Sequence, residues 1–216
     1  MLDRSFFTTF SEQQWQLLER YAEVLLQWNR KINLISRKET DRLVEKHLLP
    51  VLALTEWKEG NNFFSNAKKV LDVGTGGGIP GIPLAIAYPN VSFTLLDSIH
   101  KKAVAVSDMV QRLGCSKVRV VCERLEEHCG KYDACVGRGV MPFEAFVKAV
   151  QNVLKPNGSV FYWSGGELDD LVPKSLKNQT RCFDVEVFFH GKYGQTKKLL
   201  WYSKFSPKDY KANDQK

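Results

Sequence analysis

The chain has 216 residues, 44% hydrophobic and 25% charged, the proportions of one ordinary globular unit with room for a small appendage. Lys and Arg number 31 against 24 Asp and Glu, and this net charge of +7 favours an anionic partner, nucleic acid first. No apolar run approaches the roughly 18 residues of a membrane span. Met1-Leu2-Asp3-Arg4-Ser5 does not begin a leader peptide, so a cytoplasmic location without a membrane partner is expected.

In chain order, Ser11-Glu12-Gln13-Gln14 has the form of a capping box. Behind it Trp15, Leu18, Ala22, Leu25 and Trp28 recur at helical spacing, which predicts an amphipathic helix over 11–29. A second helix is expected from Thr40, burying Leu43, Val44, Leu48, Val51 and Leu52, with Pro50 as an interruption. Residues 58–67, rich in Gly and Asn, are expected to form a linker loop.

From Val70 the pattern alternates. Short apolar runs at 70–73, 92–96, 118–121, 134–137 and 159–163 are separated by helical stretches at about 81–87, 100–113 and 143–154. This predicts an α/β fold, a doubly wound parallel sheet with helices on both faces. Strand patterns at 182–189 and 198–205 flank His190-Gly191-Lys192-Tyr193-Gly194-Gln195 and predict an antiparallel C-terminal hairpin. The expected division is an N-terminal helical cap (1–60), an α/β core (61–207) and a disordered tail (208–216). Cys115, Cys122, Cys129, Cys135 and Cys182 contain no Cys-x-x-Cys pair, so free thiols and no metal site are expected.

The chemistry concentrates in Val70-Leu71-Asp72-Val73-Gly74-Thr75-Gly76-Gly77-Gly78-Ile79-Pro80-Gly81. A strand enters a glycine-rich turn and then a helix, which is where doubly wound sheets bind nucleotides. Glycines let the backbone approach a ligand, and a helix N-terminus favours an anionic group. Asp97 ends the next strand, where a carboxylate can accept both ribose hydroxyls of an adenosine.

Two details disfavour a nicotinamide dinucleotide. Asp72, two residues before Gly74, would repel a pyrophosphate but suits a cation. The third glycine of the pyrophosphate fingerprint is replaced by Ile79. S-adenosylmethionine, which carries a sulfonium and an ammonium, is the expected cofactor. Asp72 can equally brace the glycine turn through backbone N–H groups.

Several further segments carry a resemblance. They are Trp28-Asn29-Arg30-Lys31-Ile32-Asn33-Leu34, Ile79-Pro80-Gly81-Ile82-Pro83-Leu84-Ala85, Thr94-Leu95-Leu96-Asp97-Ser98 and Leu154-Lys155-Pro156-Asn157-Gly158. With them the chain resembles, from about Trp15 to Phe205, the small-subunit rRNA guanine-N7 methyltransferases of the RsmG (GidB) family.

The resemblance implies a class I methyltransferase (Rossmann-like) fold with an N-terminal helical cap. It also implies methylation of one guanine of 16S ribosomal RNA in the small ribosomal subunit. By position Gly74, Ile79, Leu125, Glu126 and Arg138 take the places of cofactor contacts, joining Asp72, Gly76 and Asp97. Leu125-Glu126 would flank the adenine, and Arg138 would face the methionine end or the substrate. Gly137 and Gly139 are expected to leave Arg138 free to order only when ligand arrives. The family's usual Leu-Lys-Gly after the fifth strand is here Ser164-Gly165-Gly166, without the lysine.

Guanine N7 has a free lone pair at neutral pH, so orientation suffices and no catalytic base is assigned. No Asn-Pro-Pro-Tyr or Pro-Cys motif points to exocyclic-amine or cytosine-C5 chemistry. RNA contacts are expected from the basic residues Arg30 and Lys31 of the cap, and from Lys197 and Lys198 of the hairpin. Tyr162 or Trp163 could stack on a splayed base. The enzyme is expected to act as a monomer. Two rival readings stand beside this one: a nicotinamide-dependent oxidoreductase, and a catalytically weakened RNA-binding or ribosome assembly factor that keeps the fold.

Overall fold

Helix α1 (Glu12–Asn29) begins at the predicted capping box. The Ser11 hydroxyl accepts from the Gln14 N–H, and the Gln14 side chain accepts from the Ser11 N–H. Its inner face buries Trp15, Leu18, Tyr21 and Leu25, with Trp28 half-buried. These details come from a computed structural model that describes residues 4–191 and 197–204.

The predicted second helix is broken into short turns. A 3-10 turn (Arg37–Arg42), a π turn (Val44–Leu48), α2 (Leu49–Leu52) and a further 3-10 turn (Ala53–Glu56) follow one another. Pro50 accounts for the change of winding, because it has no N–H to return to the carbonyl of Lys46 four residues earlier. Leu43, Leu48, Val51 and Leu52 are buried as expected, and Val44 is half-buried.

The expected linker loop is a helix, α3 (Lys58–Asn66). Its Gly and Asn residues are poor helix formers, but Phe63 and Phe64 are both buried against Phe161. Tertiary burial overrides local propensity there.

The core strands are β1 (Lys69–Val73), β2 (Ser92–Leu96), β3 (Val118–Val121), β4 (Tyr132–Arg138) and β5 (Leu154–Gly165). Between them lie α4 (Gly81–Ala87), α5 (His100–Leu113) and α6 (Phe143–Ala149). The predicted helix over 143–154 stops early. A 3-10 turn covers Val150–Asn152, and Leu154 already pairs with Tyr132 of β4. After β5 come α7 (Leu168–Leu171), β6 (Thr180–Asp184), α8 (Val185–Phe188) and β7 (Lys197–Ser203).

The strand expected over 182–189 is thus shorter. Asp184 turns the chain by accepting from the N–H groups of Glu186 and Val187, capping α8. β6 and β7 are antiparallel, as predicted. Their connection at 192–196, the end of the strand expected over 198–205 and the tail at 208–216 lie outside the described residues.

The described strands form one seven-stranded sheet in the order β3-β2-β1-β4-β5-β7-β6. The first five are parallel, and β7 runs antiparallel to both its neighbours. β1 and β4 lie side by side at the centre, where the chain changes direction across the sheet, so a crevice opens beyond their carboxyl ends. Among the described residues no helix is long and apolar enough to cross a membrane.

Candidate active site

The crevice at the switch point is lined first by backbone. Gly74 and Gly76, directly after β1, hold φ angles of 67° and 58°, left-handed conformations that a side chain disfavours. A Cβ on Gly76 would meet nothing nearer than the Gly74 carbonyl at 3.8 Å, so the loop presents bare backbone to open space.

Asp72 fixes this loop from behind. Its Oδ2 accepts from the Thr75 hydroxyl at 2.6 Å and from the Gly81 N–H at 2.9 Å. The residue is fully buried, and Oδ1 has no hydrogen-bond partner among the described residues. Burial pushes its carboxyl up to about 7, against the two donors on Oδ2 that favour the carboxylate. Asp97, at the end of β2, accepts from the Gly76 N–H through Oδ2 and from the Ile99 N–H through Oδ1, both at 2.9 Å. One carboxylate therefore stands behind the glycine turn and the other beside it.

The N-terminal segment closes the other side. Tyr21 of α1 donates its hydroxyl to the Gly77 carbonyl at 2.7 Å. Asn29, the buried last residue of α1, accepts from the N–H groups of Leu34 and Ile35 at 2.8 and 2.9 Å. That bend brings Leu34 against Gly77, where a Cβ would lie 3.4 Å from the Leu34 Cβ. The result is a cavity of about 320 Å³ lined by the Gly74–Gly77 turn, Ile79, Leu34, Ile35, Arg138 and Lys197, among others. That volume lies within the usual range for small-molecule sites.

Arg138 ends β4 and is held firmly. Its guanidinium donates to the carbonyls of His47 at 3.0 Å and Lys46 at 2.9 Å. The expectation of a side chain that orders only on binding is therefore corrected: the carbonyls of the broken helix already bind it. Burial lowers its pKa to about 10, so it remains a cation at neutral pH.

Beside Arg138, His47 lies 3.0 Å from Glu39. Burial, reinforced by the positive charge of Arg138, lowers its pKa to about 4. At neutral pH the contact is thus a hydrogen bond from a neutral imidazole to the Glu39 carboxylate, not an ion pair. Glu39 also pairs with Lys46 at 3.1 Å. Lys197, opposite Gly165 in the antiparallel register of β5 and β7, lines the same cavity. Burial lowers its pKa, and the nearby Arg138 adds to the effect.

Of the residues singled out in the sequence, the cavity brings together Gly74, Gly76, Ile79, Arg138 and Lys197. Asp72 and Asp97 hold the loop without lining it. Leu125 and Glu126 occupy the 3-10 turn Leu125–Glu127 after β3, and neither lines the cavity. Arg30 and Lys31 are exposed at the end of α1, with the Lys31 ammonium 5.1 Å from the Trp28 ring centroid. Lys198 is engaged by Asp184. Tyr162 is buried between Phe143 and Phe146, with its hydroxyl bonded to the Val140–Met141 backbone. Trp163 lines the cavity and donates its indole N–H to the Pro50 carbonyl at 2.8 Å.

Sequence reasoning missed Thr75, Asn29 and His47. Thr75 and Asn29 act on backbone and a buried carboxylate, and their motifs were visible without the partners that give them a role.

The chain matches the model of the GidB family, described as rRNA small subunit methyltransferase G, over residues 14–199. It is 35% identical to ribosomal RNA small subunit methyltransferase G of Christiangramia forsetii, covering 92% of this chain and 94% of that protein. It is 42% identical to the protein of the same name from Chlorobium limicola, over 77% and 74% of the two chains. Among solved structures it is similar to the plantazolicin methyltransferase BpumL in complex with SAH, at TM-score 0.55 and 11% identity, covering 89% and 99%. A putative methyltransferase from Escherichia coli aligns at TM-score 0.53 and 14% identity, covering 71% and 85%. At such identities the structures speak for the methyltransferase fold alone. The family match over most of the chain is decisive: this protein belongs to the GidB family of rRNA small subunit methyltransferases G.

Proposed function

We propose that the protein transfers the methyl group of S-adenosylmethionine to N7 of a guanine in 16S rRNA of the small ribosomal subunit, acting in the cytoplasm as a monomer. The observation that carries this reading is the meeting of bare glycine backbone and Arg138 in one cavity at the switch point, in a chain of this family. No observation favours the oxidoreductase or the inactive assembly factor.

The residues present fit the cofactor. Open space over Gly76 admits a ligand against the backbone. The buried Asp72 Oδ1, without a hydrogen-bond partner among the described residues, is a free acceptor behind the loop, and a cationic ligand nearby would favour the ionised carboxyl. In this reading Gly74, Gly76 and Ile79 frame the cofactor, and Asp97 accepts from its ribose. Leu125 and Glu126 flank its adenine, and Arg138 binds its carboxylate. Asp72 acts through the loop it braces. When bound, S-adenosylmethionine supplies a methyl group activated by the neighbouring sulfonium.

Guanine N7 attacks with its own lone pair, so the chain's task is to exclude water and hold the base in line, worth about 7–11 kcal/mol of barrier. The helical segment ahead of β1, through α3, serves as a cap on the α/β core. Arg30, Lys31 and Lys197 contact RNA, and Lys198 contributes less because Asp184 already neutralises it. The test is methyl transfer from labelled cofactor to naked 16S rRNA and to small subunits, each with wild type and Arg138→Ala. Incorporation that depends on Arg138 supports the reading.

A further inference from the structure

The crossovers from β1 to β2 and from β2 to β3 each carry a helix, α4 and α5. The crossover from β3 to β4 carries only the 3-10 turn Leu125–Glu127. Three residues cannot roof a sheet face, and on that side Lys69 and Ser92 at the starts of β1 and β2, with Lys117 and Arg119 at β3, are exposed. The sequence treats it as a solvated surface. Lys69 pairs with Ser92 in the parallel register, and Thr94 with Arg119. Because alternate residues of a strand share a face, Lys69, Ser92, Thr94, Lys117 and Arg119 project from the same side.

These residues line a second cleft, of about 500 Å³, whose far rim carries Lys131. Four cations, Lys69, Lys117, Arg119 and Lys131, line it with no carboxylate among the lining residues. Two of them are tethered to neutral groups: Lys117 donates to the Asn90 carbonyl and Lys131 to the Asn152 carbonyl. Among the described residues Lys69 and Arg119 form no ion pair. Asp133 accepts from the Lys68 and Lys69 main-chain N–H groups at 3.0 and 2.8 Å and pairs with Lys155, and Glu123 contacts His128.

We propose that this open, basic end of the sheet is a second contact surface for the phosphodiester backbone of the substrate RNA. Four cations around the exposed Ser92 match what a sugar-phosphate chain offers: repeated anionic oxygens with no base identity to read. The surface lies at the opposite end of β1 from Gly74, about 16 Å away at some 3.3 Å per residue. It would therefore anchor RNA flanking the target, adding affinity and not chemistry. The proposal rests on RNA being the substrate.

The test compares wild type with the double variant K69Q/R119Q and with the charge-preserving K69R/R119K, using 16S rRNA transcript as the probe. The neutral variant is expected to bind RNA about tenfold more weakly, with a log–log salt slope lower by about two. KM for RNA rises, while kcat and S-adenosylmethionine affinity stay at wild-type values. K69R/R119K is expected to keep wild-type RNA affinity. Unchanged RNA affinity and slope in K69Q/R119Q would overturn the proposal, as would equal loss in both variants. Wild-type protein that binds RNA in this way but transfers no methyl group would sink the reading of the reaction and leave the surface standing.

Discussion

Arg138, at the end of β4, donates a hydrogen bond to the main-chain carbonyl of Lys46, 92 residues earlier in the chain, at 2.9 Å. That carbonyl is the one Pro50 cannot serve, because a proline nitrogen has no hydrogen to give back four residues. The break in the N-terminal segment and the arginine at the switch point are thus parts of one arrangement. Arg138 ties the cap to the sheet and keeps a cation on the cavity wall.

Arg138→Ala removes two charge-assisted hydrogen bonds and leaves two carbonyls short of a donor. It is expected to lower unfolding stability by about 1–3 kcal/mol. It is also expected to reduce kcat/KM for rRNA methylation at least tenfold, about 1.4 kcal/mol. Arg138→Lys should recover only part of each, since one ammonium cannot reproduce the planar fork. Urea unfolding and steady-state methyl transfer measure the two effects. Wild-type turnover in either variant would remove Arg138 from the site.

Asp97→Ala takes away the acceptor that positions Gly76 and, in the proposed complex, the ribose. The expected result is at least a tenfold rise in the dissociation constant for S-adenosylmethionine, about 1.4 kcal/mol. Calorimetric titration of the folded variant is the check. An unchanged constant would refute the ribose assignment.

Gly81 has no room for a side chain. A Cβ there would stand 2.2 Å from Leu95 Cδ2 and 2.6 Å from Asp72 Oδ2. Gly81→Ala must displace the carboxylate that braces the glycine turn, and overpacking of this kind costs about 1–3 kcal/mol. The variant is expected to unfold at lower urea and to bind cofactor more weakly. Wild-type behaviour in both assays would mean the loop tolerates movement that its packing forbids.

Much of this was legible in the sequence because local signals and burial agreed. The capping box at Ser11, the five parallel strands and the turn after Asp72 each carry their own pattern, and the structure keeps them. The residues 58–66 were misleading because Gly60, Asn61 and Asn62 speak for a loop. Only the buried contacts of Phe63 and Phe64 with Phe161 make them a helix. The strand expected through Phe189 failed at Asp184, whose capping of α8 is a local hydrogen bond that hydrophobic alternation does not reveal. In the site, the glycine turn was readable as backbone chemistry. The His47–Glu39–Lys46 group was not, because its members meet only through the broken helix around Pro50 and the reach of Arg138.

Two buried groups make opposite pH signatures over one range. His47 has its pKa lowered to about 4, so its contribution is present above the unfolded value near 6.5 and lost as pH falls toward 4. Asp72 has its carboxyl raised to about 7, so its ionisation costs stability increasingly as pH rises from about 4 to 7. The destabilisation caused by His47→Gln, relative to wild type, should therefore shrink by about 1 kcal/mol or more between pH 7 and pH 4. That caused by Asp72→Asn should shrink in the other direction, from pH 4 to pH 7. Urea unfolding of each variant beside wild type, across this range, reads both signs. Parallel curves would show that neither group titrates between its folded and unfolded values.

Methyl transfer to guanine N7 is read from the identity of the product. Unmethylated 16S rRNA, naked and in small subunits, is incubated with the protein and S-adenosylmethionine, digested to nucleosides and separated by mass spectrometry. The expected product is 7-methylguanosine at one site, formed by wild type and at least tenfold more slowly by Arg138→Ala. A methyl group on another atom or base, or none in either substrate, would contradict it.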